Sequence, residues 1–372
     1  MSKSSAPKIP LVKPWLPFSD AYREAVSDIV GRRFVSNWSK YCALLEDEAK
    51  AILQNEHTMA VSSCDIGLIL AWRVLGLRGG EVITPSFTFC STTNALLWNG
   101  LTPVFADIDP QSFCLDPDSV ASLITEKTVG ITATHTFGRA APIAQLEALA
   151  HAHGLALVFD AAHAVGTTYS GASVGKAGDV SVFSLSGTKI VTAGEGGLIT
   201  LNSASEAQRL VALRSYGFVG DYNCTDIGLN GKMSEANAAM GWLSMRLVAE
   251  AVARRNELAA RYRGNLTDLP LTFQQTPDGG DVHGYTYFSV LLDTVALREA
   301  VQRFLTDAAI ETKRYFLPVH GMDAYRQFKD ADVPVTHDVY SRILCLPLFH
   351  EMTDADLDRV CTAVRAAVAR VS

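Results

Sequence analysis

The chain has 372 residues, of which 48% are hydrophobic and 19% charged, and its 32 Lys and Arg against 39 Asp and Glu give a net charge of −7. At about 150 residues per domain this length predicts two domains, and the composition is too apolar for a disordered protein. The acidic balance, without a block of Lys and Arg, argues against nucleic acid or an anionic membrane as the main partner, and no apolar run reaches the roughly 18 residues of a membrane span.

Short β-rich apolar runs alternate with segments of helical period between about residues 60 and 215. The predicted elements in chain order are a helix over 67–77, a strand over 81–87, a helix around 90–98, a strand over 102–108, a helix over 116–126 that Asp116 caps, a strand over 128–135, a helix ended by Gly154, and strands over 155–163, 179–186 and 197–202. Such alternation is typical of an α/β fold with a mostly parallel sheet and helices on both faces. Ligands of these sheets bind outside the carboxyl ends of the strands.

The composition changes after residue 215. Residues 217–233 are rich in Gly and Asn and predict a functional loop, and a long helical run follows over 234–266. Mixed strands and helices are expected beyond it. We therefore predict a large domain over 1–245, including an N-terminal segment, and a smaller C-terminal α+β domain over 246–372.

The seven cysteines are scattered, and no C-x-x-C motif occurs. This pattern predicts reduced thiols rather than a disulfide framework or a zinc site, so no metal is expected. Prolines interrupt the N-terminal stretch where a signal peptide needs an apolar segment. These features predict a cytoplasmic protein.

Two residues near predicted strand ends suggest chemistry. Asp160 follows an apolar strand, and Lys189 lies in FSLSGTKIVTAGEGG after the next strand. Alone, Asp160 is equally well a helix N-cap and Lys189 a surface lysine. Together they match a pyridoxal 5′-phosphate enzyme, in which a lysine amine condenses with the aldehyde of the cofactor and a carboxylate keeps the pyridine nitrogen protonated.

Three further features fit the same cofactor. Phe89 follows a strand and can cover one face of the pyridine ring, and Ser184 offers a hydroxyl to a phosphate oxygen. The segment VSSCDIG (61–67) leads into a helix, whose N-terminus suits a phosphate group. Each feature is common in proteins without a cofactor, and it is their order along the chain that favours this interpretation.

These segments resemble the DegT/DnrJ family of sugar aminotransferases, which share the fold-type I architecture of aspartate aminotransferase. The likeness covers nearly the whole chain, and it lies in VSSCDIGL, GEVITPSFTF, TPVFADIDP, ATHTFGR, VFDAAHAVG, FSLSGTK…GEGG, GLNGKMSE, YFLPVH and LCLPLFHEMTDADLDRV. The resemblance implies a large domain that binds pyridoxal 5′-phosphate and an enzyme that moves an amino group from L-glutamate to a keto sugar, expected to be nucleotide-linked. Its partners are then small molecules, the amino donor and the keto sugar.

The same resemblance implies roles for individual residues. Lys189 carries the cofactor and serves as acid and base, Asp160 pairs with the ring nitrogen, and His163 contacts the ring. Phe89 is the stacking aromatic residue and Ser184 a phosphate ligand. Asn230, in GLNGKMSE, is expected to reach the phosphate of the neighbouring subunit's cofactor, which implies a homodimer with shared active sites.

Two segments depart from the family pattern. Cys64 and Asp65 stand where the family usually has a Gly-Thr or similar pair in the phosphate turn, and SNWSKYC (36–42) stands where the family tends to have Gly-Pro. A carboxylate about 4 Å from a phosphate costs roughly 4 kcal/mol per charge pair at an effective dielectric constant near 20. We therefore expect Asp65 to turn away and cap the helix that begins near residue 66, while backbone N–H groups hold the phosphate.

Two alternatives remain open at this point. The acceptor can be a keto-cyclitol instead of a keto sugar, since the sequences of the loops that select the acceptor do not identify it. A non-catalytic regulatory protein that binds the cofactor in the same fold is the other alternative, and Asp65 is the feature that favours it.

Overall fold

The computed structural model describes residues 7–36, 38–277 and 279–370. Its helices are α1 (Ser19–Arg32), α2 (Lys40–Leu53), α3 (Cys64–Val74), α4 (Cys90–Trp98), α5 (Pro117–Leu123), α6 (Ile143–His153), α7 (Ala204–Leu213), α8 (Glu235–Met245), α9 (Val248–Leu266), α10 (Val295–Asp307), α11 (Pro334–Arg342) and α12 (Asp354–Val368). Its strands are β1 (Thr58–Val61), β2 (Glu81–Pro85), β3 (Thr102–Ala106), β4 (Thr128–Thr134), β5 (Ala156–Asp160), β6 (Thr168–Tyr169), β7 (Ala172–Ser173), β8 (Val180–Ser184), β9 (Gly197–Leu201), β10 (Phe218–Val219), β11 (Asn223–Cys224), β12 (Leu271–Phe273), β13 (Phe288–Leu292) and β14 (Ile343–Leu346).

A seven-stranded sheet forms the centre of the molecule, with the strand order β1-β9-β8-β5-β4-β2-β3. The pairs from β3 through β8 are parallel, and β9 runs antiparallel to both of its neighbours, β8 and β1. Adjacent residues of β5, Val158 and Phe159, belong to different apolar clusters, so both faces of the sheet are covered. The predicted α/β fold with a mostly parallel sheet is confirmed.

The predicted elements agree with the observed ones apart from their ends. Asp116 caps α5 by accepting the N–H of Asp118, and Gly154 ends α6 with a φ of 63°. The single helical run predicted over 234–266 is wrong, because the chain leaves helical geometry at Leu247 (φ −103°, ψ 3°) and forms α8 and α9 separately.

A buried carboxylate connects α8 to α2. Glu235, at the start of α8, is fully buried and accepts the N–H groups of Tyr41 at 2.9 Å and Cys42 at 3.1 Å. These N–H groups belong to the first turn of α2, which has no intrahelical acceptors for them. Nη2 of Arg32 lies 3.5 Å from the same carboxylate. Glu235 therefore holds the N-terminus of α2.

The C-terminal part of the chain forms an antiparallel sheet of β12, β13 and β14. It encloses an apolar cluster of its own with α9, α10 and α12, in which Val290, Val301 and Val364 are buried. This arrangement agrees with the α+β character expected of the C-terminal part.

Helix α9 belongs to both cores. Ala251 and Val252, in its first half, pack into the core of the large sheet, whereas Leu258 and Tyr262 pack into the C-terminal core. The break between α8 and α9 coincides with the boundary predicted near 245, but the first turns of α9 pack with the large sheet. The division into 1–245 and 246–372 stays a prediction.

Among the described helices, none is both long and apolar enough to cross a membrane. Within the same residues, no three His, Cys, Asp or Glu side chains are grouped so as to hold a metal ion. All seven cysteines lie in the described part of the chain and are free thiols.

Candidate active site

The predicted residues meet in a cavity of about 340 Å³ at the carboxyl ends of β2, β4, β5 and β8. Of the site residues predicted from the sequence, those that line it are Phe89, Cys64, Asp65, Asp160, His163, Ser184 and Lys189. A larger cleft of about 590 Å³ lies elsewhere, beside Arg139 and Asp281, and contains none of them. The chemistry of the lining residues, and not the volume of the cavity, therefore identifies the smaller cavity as the candidate site.

Lys189 lies in the loop that joins β8 to β9. This loop folds into short turns, because Ser184 Oγ accepts the N–H of Ser186 at 3.3 Å and the carbonyl of Ser186 accepts the N–H of Lys189 at 3.0 Å. Burial lowers the pKa of Lys189, against opposing effects of Cys64, Asp160 and Glu195. A lowered pKa favours the neutral amine that a proton-accepting lysine needs.

Asp160 ends β5 and is 3% exposed. Oγ1 of Thr92 donates to Oδ2 at 2.6 Å, and the N–H of Ala162 donates to Oδ1 at 3.0 Å. Burial raises the pKa of Asp160, while these two hydrogen bonds and the charge of Lys189 act in the opposite direction. Both carboxylate oxygens are thus held in a fixed orientation at the edge of the cavity.

His163 and Phe89 supply rings to the same cavity. His163 is buried and stacks on Phe316, with ring centroids 5.7 Å apart. Its Nδ1 atom is buried without a hydrogen-bond partner among the described residues. Burial, with a smaller effect of Lys189, lowers the pKa of His163 well below its usual value, so the imidazole is neutral. Phe89 is 56% exposed at the start of α4, with room for a second flat group against it.

The start of α3 corrects one expectation. Ser63, not Asp65, caps this helix, because its side chain accepts the N–H of Ile66 at 3.1 Å. The helix therefore begins at Cys64, and Asp65 lies in its first turn, half-buried, and lines the cavity. Among the described residues, no acceptor pairs with the backbone N–H of Cys64 or Asp65. Two free amides and one carboxylate thus share the same turn.

A glycine is required beneath this turn. A Cβ atom on Gly197 would lie 2.9 Å from the backbone nitrogen of Cys64 and equally close to the carbonyl carbon of Ser63. Such a distance is shorter than van der Waals contact allows, so a larger residue in β9 would displace the turn. This contact explains the last glycine of GEGG.

Asn230 is not brought to the cavity of its own chain. It is exposed, and its backbone pairs with Ser215 at the end of the Gly- and Asn-rich loop. The role expected for it depends on a second subunit and stays a prediction.

Sequence reasoning missed a residue that holds Asp160 and several residues of the cavity wall. Thr92 was not singled out, although the hydroxyl-rich run TFCSTT after β2 is the signal that points to it. Tyr287, Tyr315 and Phe316 come from the C-terminal part and also line the cavity. Their aromatic runs, YTYF and YF, resemble ordinary core segments, and no spacing relates them to Lys189.

The side chains and amides present fit pyridoxal 5′-phosphate. The free amides of α3 and the buried hydroxyl of Ser184 suit a phosphate group. The hydrogen-bonded carboxylate of Asp160 suits a protonated pyridine nitrogen, and the amine of Lys189 makes no hydrogen bond or ion pair with any described residue. Asp65 and Glu195 bring further carboxylates to the cavity, and of these two Asp65 lies in the turn with the free amides, where its charge is unfavourable to a phosphate.

Comparisons with known proteins agree with this chemistry. Residues 19–365 match the model of the DegT/DnrJ/EryC1/StrS aminotransferase family. The chain is similar to GDP-perosamine synthase of Vibrio cholerae, with 31% identity over 96% of this chain and 98% of that protein. It is also 31% identical to dTDP-4-amino-4,6-dideoxy-D-glucose transaminase of Shigella dysenteriae, over 96% of this chain and 97% of the relative.

A solved structure supports the same fold. The structure of DesI in the presence of its TDP-sugar product superposes with a TM-score of 0.93 at 34% identity, over 100% of this chain and 95% of DesI. The resemblance expected from the sequence motifs is thereby confirmed.

Proposed function

We propose, from the premise that this chain belongs to the DegT/DnrJ/EryC1/StrS aminotransferase family, that it transfers the amino group of L-glutamate to a keto sugar linked to a nucleotide. The protein is an aminotransferase, and enzymes of this family use pyridoxal 5′-phosphate. The observation that carries the proposal is that Lys189 and the buried carboxylate of Asp160 share one cavity with the free amides of α3. The relatives named for GDP- and dTDP-linked sugars support the choice of acceptor.

We assign the chemical steps to two side chains. When bound, the cofactor supplies an electron-withdrawing ring that stabilises negative charge on the substrate carbon. Asp160 holds the proton on the ring nitrogen, since the hydrogen bonds from Thr92 and Ala162 favour its ionised form against the effect of burial. The amine of Lys189 takes the proton from the α carbon of the amino acid, as its lowered pKa allows.

The remaining predicted residues bind and orient the cofactor in this proposal. The amides of Cys64 and Asp65, with the Ser184 hydroxyl, hold the phosphate. Phe89 covers one face of the ring, and the neutral His163 contacts the ring from within the cavity.

A half-reaction screen tests the proposal. The protein is converted to its pyridoxamine form with L-glutamate, and GDP-, dTDP- and UDP-linked keto sugars and keto-cyclitols are then offered one at a time. We expect the absorbance of the lysine-bound cofactor to return with a nucleotide-linked keto sugar, and Lys189→Ala to give no such return. Return with a keto-cyclitol alone would assign the alternative acceptor.

Asp65 favours a second candidate, a regulatory protein that binds the cofactor without turnover. Its carboxylate lies in the turn that offers amides to a phosphate, and a like charge there weakens binding. If L-glutamate leaves the bound cofactor unchanged while the protein holds it on Lys189, the regulatory function replaces the enzymatic one.

We further propose a cytoplasmic homodimer with shared sites, in which Asn230 of one chain serves the cofactor of the other. Asn230 is exposed outside its own cavity, and Tyr216 and Tyr222 of the adjoining loop are exposed aromatic residues that suit a subunit interface. Seven free thiols suit the reducing cytoplasm. Fractionation of the source cells checks the location, since activity outside the cytoplasm would contradict it.

Mixed dimers test the shared site. Lys189→Ala and Asn230→Ala chains, each impaired alone, are unfolded and refolded together. If sites are shared, half of the sites in mixed dimers have neither lesion, and activity rises towards about a quarter of wild type for random pairing. Activity equal to the average of the two variants would show that Asn230 acts on the cofactor of its own chain.

A further inference from the structure

Tyr287 brings the C-terminal part of the chain into contact with the catalytic lysine. Its ring is 5% exposed, lines the cavity, and has its centroid 5.9 Å from Nζ of Lys189. This distance lies within the range in which an ammonium group is attracted to an aromatic face. The ring also packs edge-on to His163, with centroids 5.3 Å apart.

The backbone that leads into Tyr287 is firmly held. Nη1 of Arg255, a buried residue of α9, donates to the carbonyl of Tyr285 at 2.9 Å. The Thr286 hydroxyl donates to the carbonyl of His163 at 2.9 Å, and the Thr286 N–H donates to the carbonyl of Phe137 at the same distance. The position of the ring is therefore fixed from both the large sheet and the C-terminal part.

The amine of Lys189 has few other contacts. It makes no hydrogen bond or ion pair with the described residues, so its charge interacts with its surroundings only through space. The titratable groups that face it from the packed elements are Cys64 on α3, Asp160 on β5, His163 after β5, Glu195 before β9 and Tyr287. Of these, Tyr287 alone offers an aromatic face to the amine at cation–π distance.

We propose that Tyr287 is a positioning residue, whose ring holds the free amine of Lys189 within the cavity and stabilises its ammonium form. The phenol itself stays protonated, because burial raises its pKa, and so it adds no negative charge. The ring thus favours the charged form of the Lys189 amine, whereas burial favours the neutral form. Because the two effects oppose each other, the amine can both accept and return a proton. This inference rests on the proposed role of Lys189.

The test measures the protonation of Lys189 without the cofactor. The cofactor-free full-length protein is trace-labelled with acetic anhydride over a range of pH, and the extent of labelling at Lys189 is read by peptide mass spectrometry. The pH midpoint of labelling reports the basicity of the amine and not merely its accessibility. Tyr287→Met removes the ring but keeps apolar bulk, and Tyr287→Phe, the matched control, keeps the ring.

We expect the midpoint of Lys189 to fall by about 0.5 to 1 pH unit in Tyr287→Met and to stay near wild type in Tyr287→Phe. An unchanged or raised midpoint in Tyr287→Met, or an equal fall in Tyr287→Phe, would overturn the inference. These midpoints are measured without turnover. If the midpoints contradict the expectation while the wild type turns over normally, the role of Tyr287 is refuted and the proposed function stands. If the midpoints agree but the wild type shows no turnover, the proposed function is refuted instead.

Discussion

Replacing Asp65 by Asn should tighten the binding of pyridoxal 5′-phosphate to the protein. The carboxylate lies in the first turn of α3, beside the two free amides that suit a phosphate, and lines the same cavity as Lys189. It makes no hydrogen bond with any described residue, so its negative charge is not offset by a donor. Asn has nearly the same shape, and the substitution therefore isolates the charge.

The size of the effect follows from Coulomb repulsion and from the exposure of the Asp65 side chain. Two unit charges about 5 Å apart interact by about 3 kcal/mol at an effective dielectric constant of 20. Asp65 is only half-buried, so water and salt screen this repulsion, and we expect about 1 to 1.5 kcal/mol to remain. That corresponds to roughly tenfold tighter binding. The helix itself loses about 0.5 kcal/mol, since an acidic residue in its first turn is favourable.

Equilibrium dialysis of the cofactor-free protein against pyridoxal 5′-phosphate measures this change. Glu195→Gln is the matched control, because Glu195 also lines the cavity but lies in the loop before β9. We expect a clearly smaller effect there. Unchanged or weaker binding in Asp65→Asn would refute the assignment of the phosphate to the start of α3. If both variants bind the cofactor equally more tightly, the change is a general effect of the net charge of the protein and also contradicts this assignment.

Three further predictions concern buried polar residues. Asp160→Asn should lower turnover at least 100-fold while the cofactor still attaches to Lys189, and turnover near wild type would show that another group holds the ring nitrogen. Glu235→Ala should lower the free energy of unfolding by about 2–4 kcal/mol, because two N–H groups of α2 lose a buried acceptor. Denaturant titration measures this loss, and a loss below about 0.5 kcal/mol would contradict the prediction. Burial lowers the pKa of His135 to about 3 from 6.5, so the unfolded chain binds the extra proton and stability falls as the pH decreases below about 6.5. His135→Asn should flatten this loss between pH 7 and 5, and an equally steep loss in the variant would assign the acid sensitivity to other groups.

Much of the fold and part of the site wall were predictable from the sequence, because both depend on the local order of residues along the chain. Apolar strands alternate with helices, and the polar residues at the end of β5 and after β8 must then meet at one edge of the sheet. Asp160 and Lys189 are predictable for this reason. Tyr287 was not, because nearly a hundred residues separate it from Lys189 and only the packing of the C-terminal part brings the two together.

The error at Asp65 has a different cause. Ser63 and Asp65 are both good capping residues, and the choice between them shifts the start of α3 by two positions. In the folded chain the turn at Ser63 and Cys64 packs closely on β9, where Gly197 leaves room for it. A tertiary contact of this kind leaves no trace in the local sequence.

Helix α9 has a mechanical consequence for the whole molecule. Its 19 residues extend over about 28 Å and are buried in the large-sheet core at one end and in the C-terminal core at the other. A large rotation of one part against the other would expose buried residues of this helix, such as Val252 or Leu258, to water, and it would cost the free energy of their burial. The distance between Tyr287 and Lys189 is therefore coupled to the packing of both cores through this one helix.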